Sequence, residues 1–200
     1  MTIQHPNILQ LDIAGNPCRW IDYQTAAYYY AKDLIAWTVG EGGYTIFGGN
    51  NRITANRSFM DLNSIIAVRG EMGNKHLFTV PALSNRALFL RDQKICAYCA
   101  NEFTSDHLTR DHIHPTSRNG RNIWTNVVSA CGPCNKRKND KTPEEAGMKL
   151  HYVPYAPNRA EYLILVGRNV LVDQMDFLKS RIPQESRIHK PFVSNQKKMK

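Results

Sequence analysis

Two cysteine pairs constrain the fold of this chain more than any other feature of its sequence. Cys96 and Cys99 form one Cys-x-x-Cys turn, Cys131 and Cys134 form a second, and 31 residues separate the two turns. In a reducing compartment, paired turns of this kind are typical of four thiolates around a structural zinc ion. Redox dithiols or coincidence are the alternatives, and the repeated short spacing argues against coincidence. Cys18 stands apart from both pairs, and we expect it to be a small core residue.

The composition favours a globular protein with a polyanionic partner. The chain has 200 residues, enough for one domain or two small ones, of which 42% are apolar and 22% charged. Its 26 lysines and arginines exceed the 17 acidic residues and give a net charge of +9, which suits nucleic acid, although many basic proteins have no such partner. No apolar run approaches the roughly eighteen residues that span a bilayer, and the first residues do not resemble a secretory signal. We therefore expect a cytoplasmic protein without a membrane partner.

Residues 1–90 are predicted to form a mixed α/β region that supports the rest of the chain and extends the surface for a nucleic-acid partner. The segments NILQLDIAG and NSIIAVRG each predict a strand. The segment YQTAAYYYAKDLIAW has the apolar spacing of an amphipathic helix, and EGGYTIFGGNNR has the composition of a hairpin or a loop.

The rest of the chain is predicted to have three parts. Residues 91–148 hold the sequence motifs, residues 149–182 form a helical segment that packs on this core, and residues 183–200 form a basic, flexible tail. Near the end of the first part, the segment TPEEAGMKL predicts the start of a helix, because Thr142 and Glu145 have the spacing of a capping box.

The segment LTRDHIHPTSRNG lies between the two cysteine pairs and concentrates ionisable side chains. Its first six residues predict a strand, in which Asp111 and His112 would point to opposite faces unless the strand ends there, and Pro115 follows soon after. TNVVSAC predicts the returning strand and CNKRKND the start of a short helix. The hairpin, the second cysteine turn and the helix would then fold together, so that zinc fixes Asn135 against the first strand.

These segments resemble the HNH endonuclease family, also known as the ββα-metal nucleases. LTRDHIHPTSRNG and WTNVVSACGPCNKRK carry the resemblance, with His112, Asn126 and Asn135 at the three signature positions, which is the His-Asn-Asn variant. The two cysteine pairs match the structural zinc that is common in the family. KTPEEAGMKL and LDIAGNPCRW look like the flanks of a group of bacterial and phage HNH proteins. The resemblance implies an α+β fold, with a ββα-metal core and a four-cysteine structural zinc, flanked by the N-terminal region and a C-terminal helix.

The resemblance also implies a chemistry for the central residues. Hydrolysis of a phosphodiester needs a water that loses a proton, and a neutral imidazole, whose unperturbed pKa is about 6.5, can accept it; we expect His112 to be this general base. Asp111 and Asn135 offer oxygen ligands, which suit Mg²⁺ or Mn²⁺ as the catalytic ion, whereas zinc belongs with the cysteines. Asn126 is expected to orient His112 by bonding across the loop between the strands.

Basic side chains near the motif are candidates for DNA contact. Lys136, Arg137 and Lys138 follow the second cysteine turn and could neutralise backbone phosphates, although a solvated helix face would have the same sequence. Arg118 lies in the turn of the hairpin, and His114 shares the strand face of His112. For His114, packing or solvent exposure is the alternative to a phosphate contact.

Together these features predict a metal-dependent DNA endonuclease or nickase acting on double-stranded DNA in a bacterial or phage-infected cell. The resemblance implies products with 5′-phosphate and 3′-hydroxyl ends. One chain would hold one active site, so a double-strand break would need a homodimer, an accessory protein or two successive nicks. The alternatives are a zinc-ribbon module that binds nucleic acid without cutting it, and a nuclease subunit that is active only in a larger complex.

Overall fold

The chain divides into two compact units. The computed structural model describes residues 7–70 and 80–190, without the side chains of residues 41 and 42. One unit combines Met1–Thr79 with Gly167–Arg181, and the other combines Val80–Val166 with Ile182–Lys200. The predicted α+β class is confirmed. The boundaries differ from the predicted ones, because residues 80–90 join the second unit and residues 167–181 join the first.

The first unit is built on a four-stranded sheet with the order β2-β1-β4-β3. Its strands are β1 (Ile8–Leu11), β2 (Pro17–Ile21), β3 (Ile35–Asn50) and β4 (Arg57–Val68). β1 pairs parallel with β4, and the other two pairings are antiparallel. β3 and β4 form the hairpin, which was one of the two interpretations of EGGYTIFGGNNR. Helix α1 (Tyr23–Ala31) begins at the N-cap residue Asp22 and packs through Ala26. The predicted amphipathic helix was too long, because Asp33 adopts φ +53° and Ile35 already belongs to β3.

Helix α5 (Val172–Lys179) completes the first unit, although the sequence analysis placed it on the other one. The fully buried side-chain amide of Gln174 donates to the backbone carbonyls of Asn7 and Ser64, each at 2.8 Å. These bonds join the helix to the start of β1 and to the middle of β4, strands that lie more than a hundred residues earlier in the chain.

The second unit contains the predicted hairpin and helix. Its helices are α2 (Asn85–Arg91), α3 (Gly132–Lys138) and α4 (Arg159–Val166). Strands β5 (Leu108–His112) and β6 (Val127–Cys131) pair antiparallel from Leu108↔Cys131 to His112↔Val127. All five residues of β6 are buried, and α3 follows the strand directly, so the hairpin and helix are held by a common core.

A buried network of charged side chains bonds to residues of β6. The carboxylate of Asp92 accepts hydrogen bonds from the guanidinium groups of Arg91 and Arg187 and from both the amide and the hydroxyl of Ser129. Arg91 also donates to the carbonyl of Val127. Because every charge in this group is paired, burying it does not leave an isolated ion in the core.

Two predictions for the C-terminal half need correction. The capping box of Thr142 and Glu145 forms, but the segment ends after one turn, because Gly147 adopts φ +61° and the chain turns away. The predicted flexible tail begins later than residue 183, since Ser186 and Arg187 bond to buried partners in the second unit. Residues 191–200 of that tail lie outside the described residues. Among the described residues, no helix has the length and apolar character needed to cross a membrane.

Candidate active site and metal centre

The four paired cysteines form one cluster, as the sequence predicts for a zinc site. Their Sγ atoms all lie within 4.8 Å of one another. Tetrahedral zinc with Zn–S bonds of about 2.3 Å places its sulfurs roughly 3.8 Å apart, which this arrangement can accommodate. The first pair is attached to the hairpin, because the amide of Ala97 donates to the carbonyl of Ser129 in β6 at 2.8 Å. The second pair spans the end of β6 and the first turn of α3.

The chemistry of the sulfurs also fits a cation. Burial works against ionisation of Cys96, but backbone hydrogen bonds from Cys131, Cys99 and Tyr98 outweigh it and lower the pKa of Cys96. Burial, reinforced by the charge of Cys96, raises the pKa of Cys99 to about 11. A divalent cation bound among the sulfurs would favour the thiolate form of Cys99, which its buried surroundings oppose.

Asp111 and His112 meet different environments at the end of β5. Asp111 is buried, and its carboxylate accepts hydrogen bonds from the hydroxyl of Tyr98 and, at 3.1 Å, from the ammonium of Lys138. His112 is half-buried. Lys138 also donates to the carbonyl of His112 at 2.7 Å, which fixes the backbone where the strand ends.

The predicted general base and the two predicted ligands of the catalytic ion line one cleft. Asp111, His112 and Asn135 border a cleft of about 270 Å³, together with Arg110 and Lys138. The side-chain nitrogen of Asn135 donates to the hydroxyl of Thr109 at 2.9 Å, which leaves the amide oxygen as the atom that can bind a cation. A carboxylate, an amide oxygen and water are ligands that Mg²⁺ or Mn²⁺ accepts, so the donor set fits the predicted ion.

The imidazole of His112 is held by Asn122, a residue that the sequence analysis did not select. Arg110 donates to Oδ1 of Asn122 at 2.9 Å, and Nε2 of His112 lies 3.2 Å from the same atom. Arginine can only donate, so that atom of Asn122 is the amide oxygen, and Nε2 of His112 must carry the proton. The lone pair of the neutral imidazole then lies on Nδ1.

Arg110 also lies in the cleft, although it was not among the predicted site residues. It lines the cleft, and its Nε is buried without a hydrogen-bond partner among the described residues. Strand alternation places Arg110 on the face of His112, which was the available signal. For Asn122, in the loop between the strands, no sequence signal marked a role.

Asn126 spans the loop between the strands, where the resemblance places it. Its side-chain nitrogen donates to the carbonyls of His114 and Arg121, and its side-chain oxygen accepts from the amide of His114 at 2.9 Å. Its own carbonyl accepts from the amide of Ile113. Asn126 thus holds the backbone immediately after His112, and makes its side-chain bonds to the loop rather than to the imidazole.

The predicted DNA contacts differ in accessibility. Lys136 and Arg137 are exposed on α3. Lys138 does not fit its predicted role, because its side chain is buried and forms an ion pair with Asp111. Arg118 forms an exposed ion pair with Glu145, and its carbonyl accepts from Nε2 of His114 at 2.8 Å.

Comparison with known protein families gives a match for the central segment of the chain. Residues 96–151 match the family model described as HNH endonuclease. The match covers less than a third of the 200 residues and includes both cysteine pairs, the hairpin and α3. A search of curated proteins gave no match.

Proposed function

We propose, from the match of residues 96–151 to the HNH endonuclease family model, that the chain is a metal-dependent DNA endonuclease or nickase. The observation that carries the proposal is the common cleft of Asp111, His112 and Asn135, with the buried Nε of Arg110 beside them. A general base, two oxygen ligands and a cation for an anionic substrate are the groups that phosphodiester hydrolysis requires.

His112 is the proposed general base. The side-chain oxygen of Asn122 accepts a hydrogen bond from Nε2–H and leaves Nδ1 as the atom that takes a proton from the attacking water. Lys138 holds the carbonyl of His112 and Asn126 holds the backbone that follows it, and Asn122 bonds the ring, so His112 enters the reaction with its ring already oriented. Arg110 supplies positive charge for the phosphate in the same cleft.

Asp111 and Asn135 would hold the catalytic Mg²⁺ or Mn²⁺. Bound there, the ion would act as a Lewis acid on a phosphate oxygen and on the leaving oxygen. Each carboxylate oxygen has two lone pairs, so the bonds from Tyr98 and Lys138 orient Asp111 and still leave room for a cation. Zinc on the four cysteines has a structural role, since a closed thiolate site offers no open position for substrate.

The proposed substrate is double-stranded DNA, contacted near the site through exposed Lys136 and Arg137. One site per chain cuts one strand, so a double-strand break needs a second copy, an accessory protein or a second nick. A cytoplasmic setting, bacterial or phage-infected, would keep the zinc thiols reduced.

The test is incubation of the purified protein with supercoiled plasmid, with and without Mg²⁺ or Mn²⁺. We expect nicked circles that depend on the divalent ion. His112→Ala should reduce the rate about 10²–10⁴-fold, as expected for loss of a general base, with DNA affinity and zinc content unchanged. His107→Ala is the matched control, because His107 is an exposed histidine in the segment before β5 and should leave the rate unchanged.

Duplex binding without any cleavage, across several metals and salt concentrations, would contradict the proposal and favour a zinc-ribbon binding module. Cleavage that appears only after a cellular extract is added would instead identify a nuclease subunit of a larger complex. Full activity of His112→Ala would remove the imidazole from the reaction.

A further inference from the structure

The hairpin of β3 and β4 continues well beyond the sheet of the first unit. β1 pairs with β4 only at Leu9↔Ile65 to Leu11↔Ala67, so the far part of the hairpin has just two strands. Residues 47–59, which we call the ribbon, are all exposed. Phe47 and Phe59 are paired across it at 60% and 68% exposure, and Ile53 at the tip is 95% exposed. Apolar side chains displayed this fully on a projecting element point to an interaction surface.

The ribbon is ordered by its own hydrogen bonds. At the tip, the side chain of Asn51 accepts from the amides of Ile53 at 2.8 Å and Thr54 at 3.1 Å. Nearer the sheet, the hydroxyl of Ser58 donates to the carbonyl of Gly49 at 3.0 Å. A Cβ at Gly48 would lie 2.4 Å from the Ser58 hydroxyl oxygen, so a larger residue there would turn this hydroxyl away from its present position. A partner would therefore meet a pre-formed surface, which lowers the entropy cost of binding.

The charge of the ribbon selects the kind of partner. Residues 47–59 contain Arg52 and Arg57 and no acidic residue. The guanidinium of Arg57 lies 4.9 Å from the centre of the Phe47 ring, and its Nε donates to the carbonyl of Gly48 at 3.2 Å. This arrangement presents cations together with aromatic faces. Such a surface is complementary to a polyanion with apolar groups in its grooves, rather than to an acid-free copy of itself.

We propose that the ribbon is a DNA-reading element that enters the major groove of the duplex. That groove is about 12 Å wide and accommodates a two-stranded β-ribbon. Arg52 and Arg57 contact phosphates or guanine edges, and Phe47 and Phe59 contact thymine methyl groups. The inference rests on the proposed function for its substrate, and it assigns sequence recognition to an element outside the family match.

The test measures binding of a fluorescein-labelled duplex of about 30 base pairs by anisotropy in the His112→Ala background, which keeps the DNA intact. Arg52→Gln/Arg57→Gln should weaken binding about tenfold or more and reduce the slope of log K against log salt by about two, one for each lost phosphate contact. Phe47→Thr/Phe59→Thr should weaken binding with little change in the slope. The matched control is Lys32→Gln/Arg69→Gln, which removes two exposed charges from the same unit and should change the affinity less than about twofold.

Each contrary result has a distinct meaning. The parent is the His112→Ala protein without further substitutions. If it binds the duplex, and the arginine variant binds equally well with the same salt dependence, the ribbon proposal is wrong and the proposed nuclease function stands. If the parent is a dimer that the phenylalanine variant dissociates without loss of DNA affinity, the ribbon is a self-association surface. A parent that does not bind duplex DNA overturns both proposals. Unchanged zinc content and circular dichroism verify that the variants are folded.

Discussion

Asp111 and His112 are neighbours in sequence, but their side chains have different surroundings at the end of β5. Asp111 is buried and forms an ion pair with Lys138, while His112 is half-buried, and both side chains border the cleft. Burial, followed by the hydrogen bond to Asp111, raises the pKa of Tyr98 above its ordinary value, so the phenol remains a proton donor to the carboxylate. A carboxylate fixed from behind in this way can offer its remaining lone pairs to a cation without moving.

At this scale, Asn122→Asp tests how the imidazole is held. The new carboxylate would still accept a hydrogen bond from Nε2–H. Its negative charge would favour the charged imidazolium over the neutral ring, and the imidazolium cannot act as a base. We therefore expect the midpoint of the acidic limb of the pH–rate profile to rise by about one pH unit, with the plateau rate largely retained. The measurement is the plasmid-nicking rate from about pH 5 to about pH 9, a range that brackets the ordinary pKa of histidine.

The matched control is Asn119→Asp, which adds the same charge to an exposed position of the same loop. It should leave the midpoint in place. Nitrogen NMR of the imidazole gives a readout independent of cleavage, and should show the proton on Nε2 in the native protein. A proton on Nδ1, or an equal shift in both variants, would exclude Asn122 as the residue that positions His112.

The hairpin and α3 depend on the cysteine cluster, because the second cysteine pair ends β6 and begins α3. Cys131→Ser should lower the zinc content, measured by mass spectrometry, and should lower the melting temperature together with it, since binding of a structural metal is coupled to folding. Removal of the metal from the native protein by a chelator should cause the same loss. Cys18→Ala is the control, because Cys18 is buried in the first unit and should leave the zinc content unchanged. Full zinc content in Cys131→Ser would contradict a four-thiolate site.

Local sequence signals predicted the elements near the site. The segments LTRDHI and TNVVSAC predicted β5 and β6, and the cysteine spacing predicted the cysteine cluster that joins them to α3. The capping box of Thr142 forms as predicted, but the helix that it was expected to start does not, since the chain turns away at Gly147 in the left-handed conformation. Lys138 was assigned to the surface because charge alone does not reveal a buried partner twenty-seven residues away.

Features formed between distant segments were not predictable from local patterns. Asp92 and Arg187 are paired in the core although 95 positions separate them. Nothing in a window of a few residues distinguishes such an arginine from an exposed one, and the sequence analysis therefore placed Arg187 in a flexible tail. Asn122 illustrates the same limit in the site, where its role depends on a strand that folds against its loop.

At the scale of the whole molecule, the chain leaves its first unit, forms the second, and then returns. Residues 167–181 belong with residues 1–79, and residues 182–200 belong with residues 80–166. The hydrophobic pattern of α5 shows that one face is buried, but it does not show against which sheet, so no local signal supported this assignment. The fully buried Gln174 attaches α5 to the sheet of the first unit, because its side-chain amide donates to the backbone carbonyls of Asn7 and Ser64.

Gln174→Ala tests this connectivity. Loss of the amide leaves two backbone carbonyls without their donor, at a cost of about 1–3 kcal/mol. We expect faster hydrogen exchange in β1 and β4, measured by mass spectrometry, because α5 no longer holds them. Gln93→Ala is the matched control, since its amide donates to the carbonyl of Arg187 within the second unit. If Gln174→Ala instead accelerated exchange in β5 and β6, α5 would pack on the nuclease core, as the sequence pattern predicts.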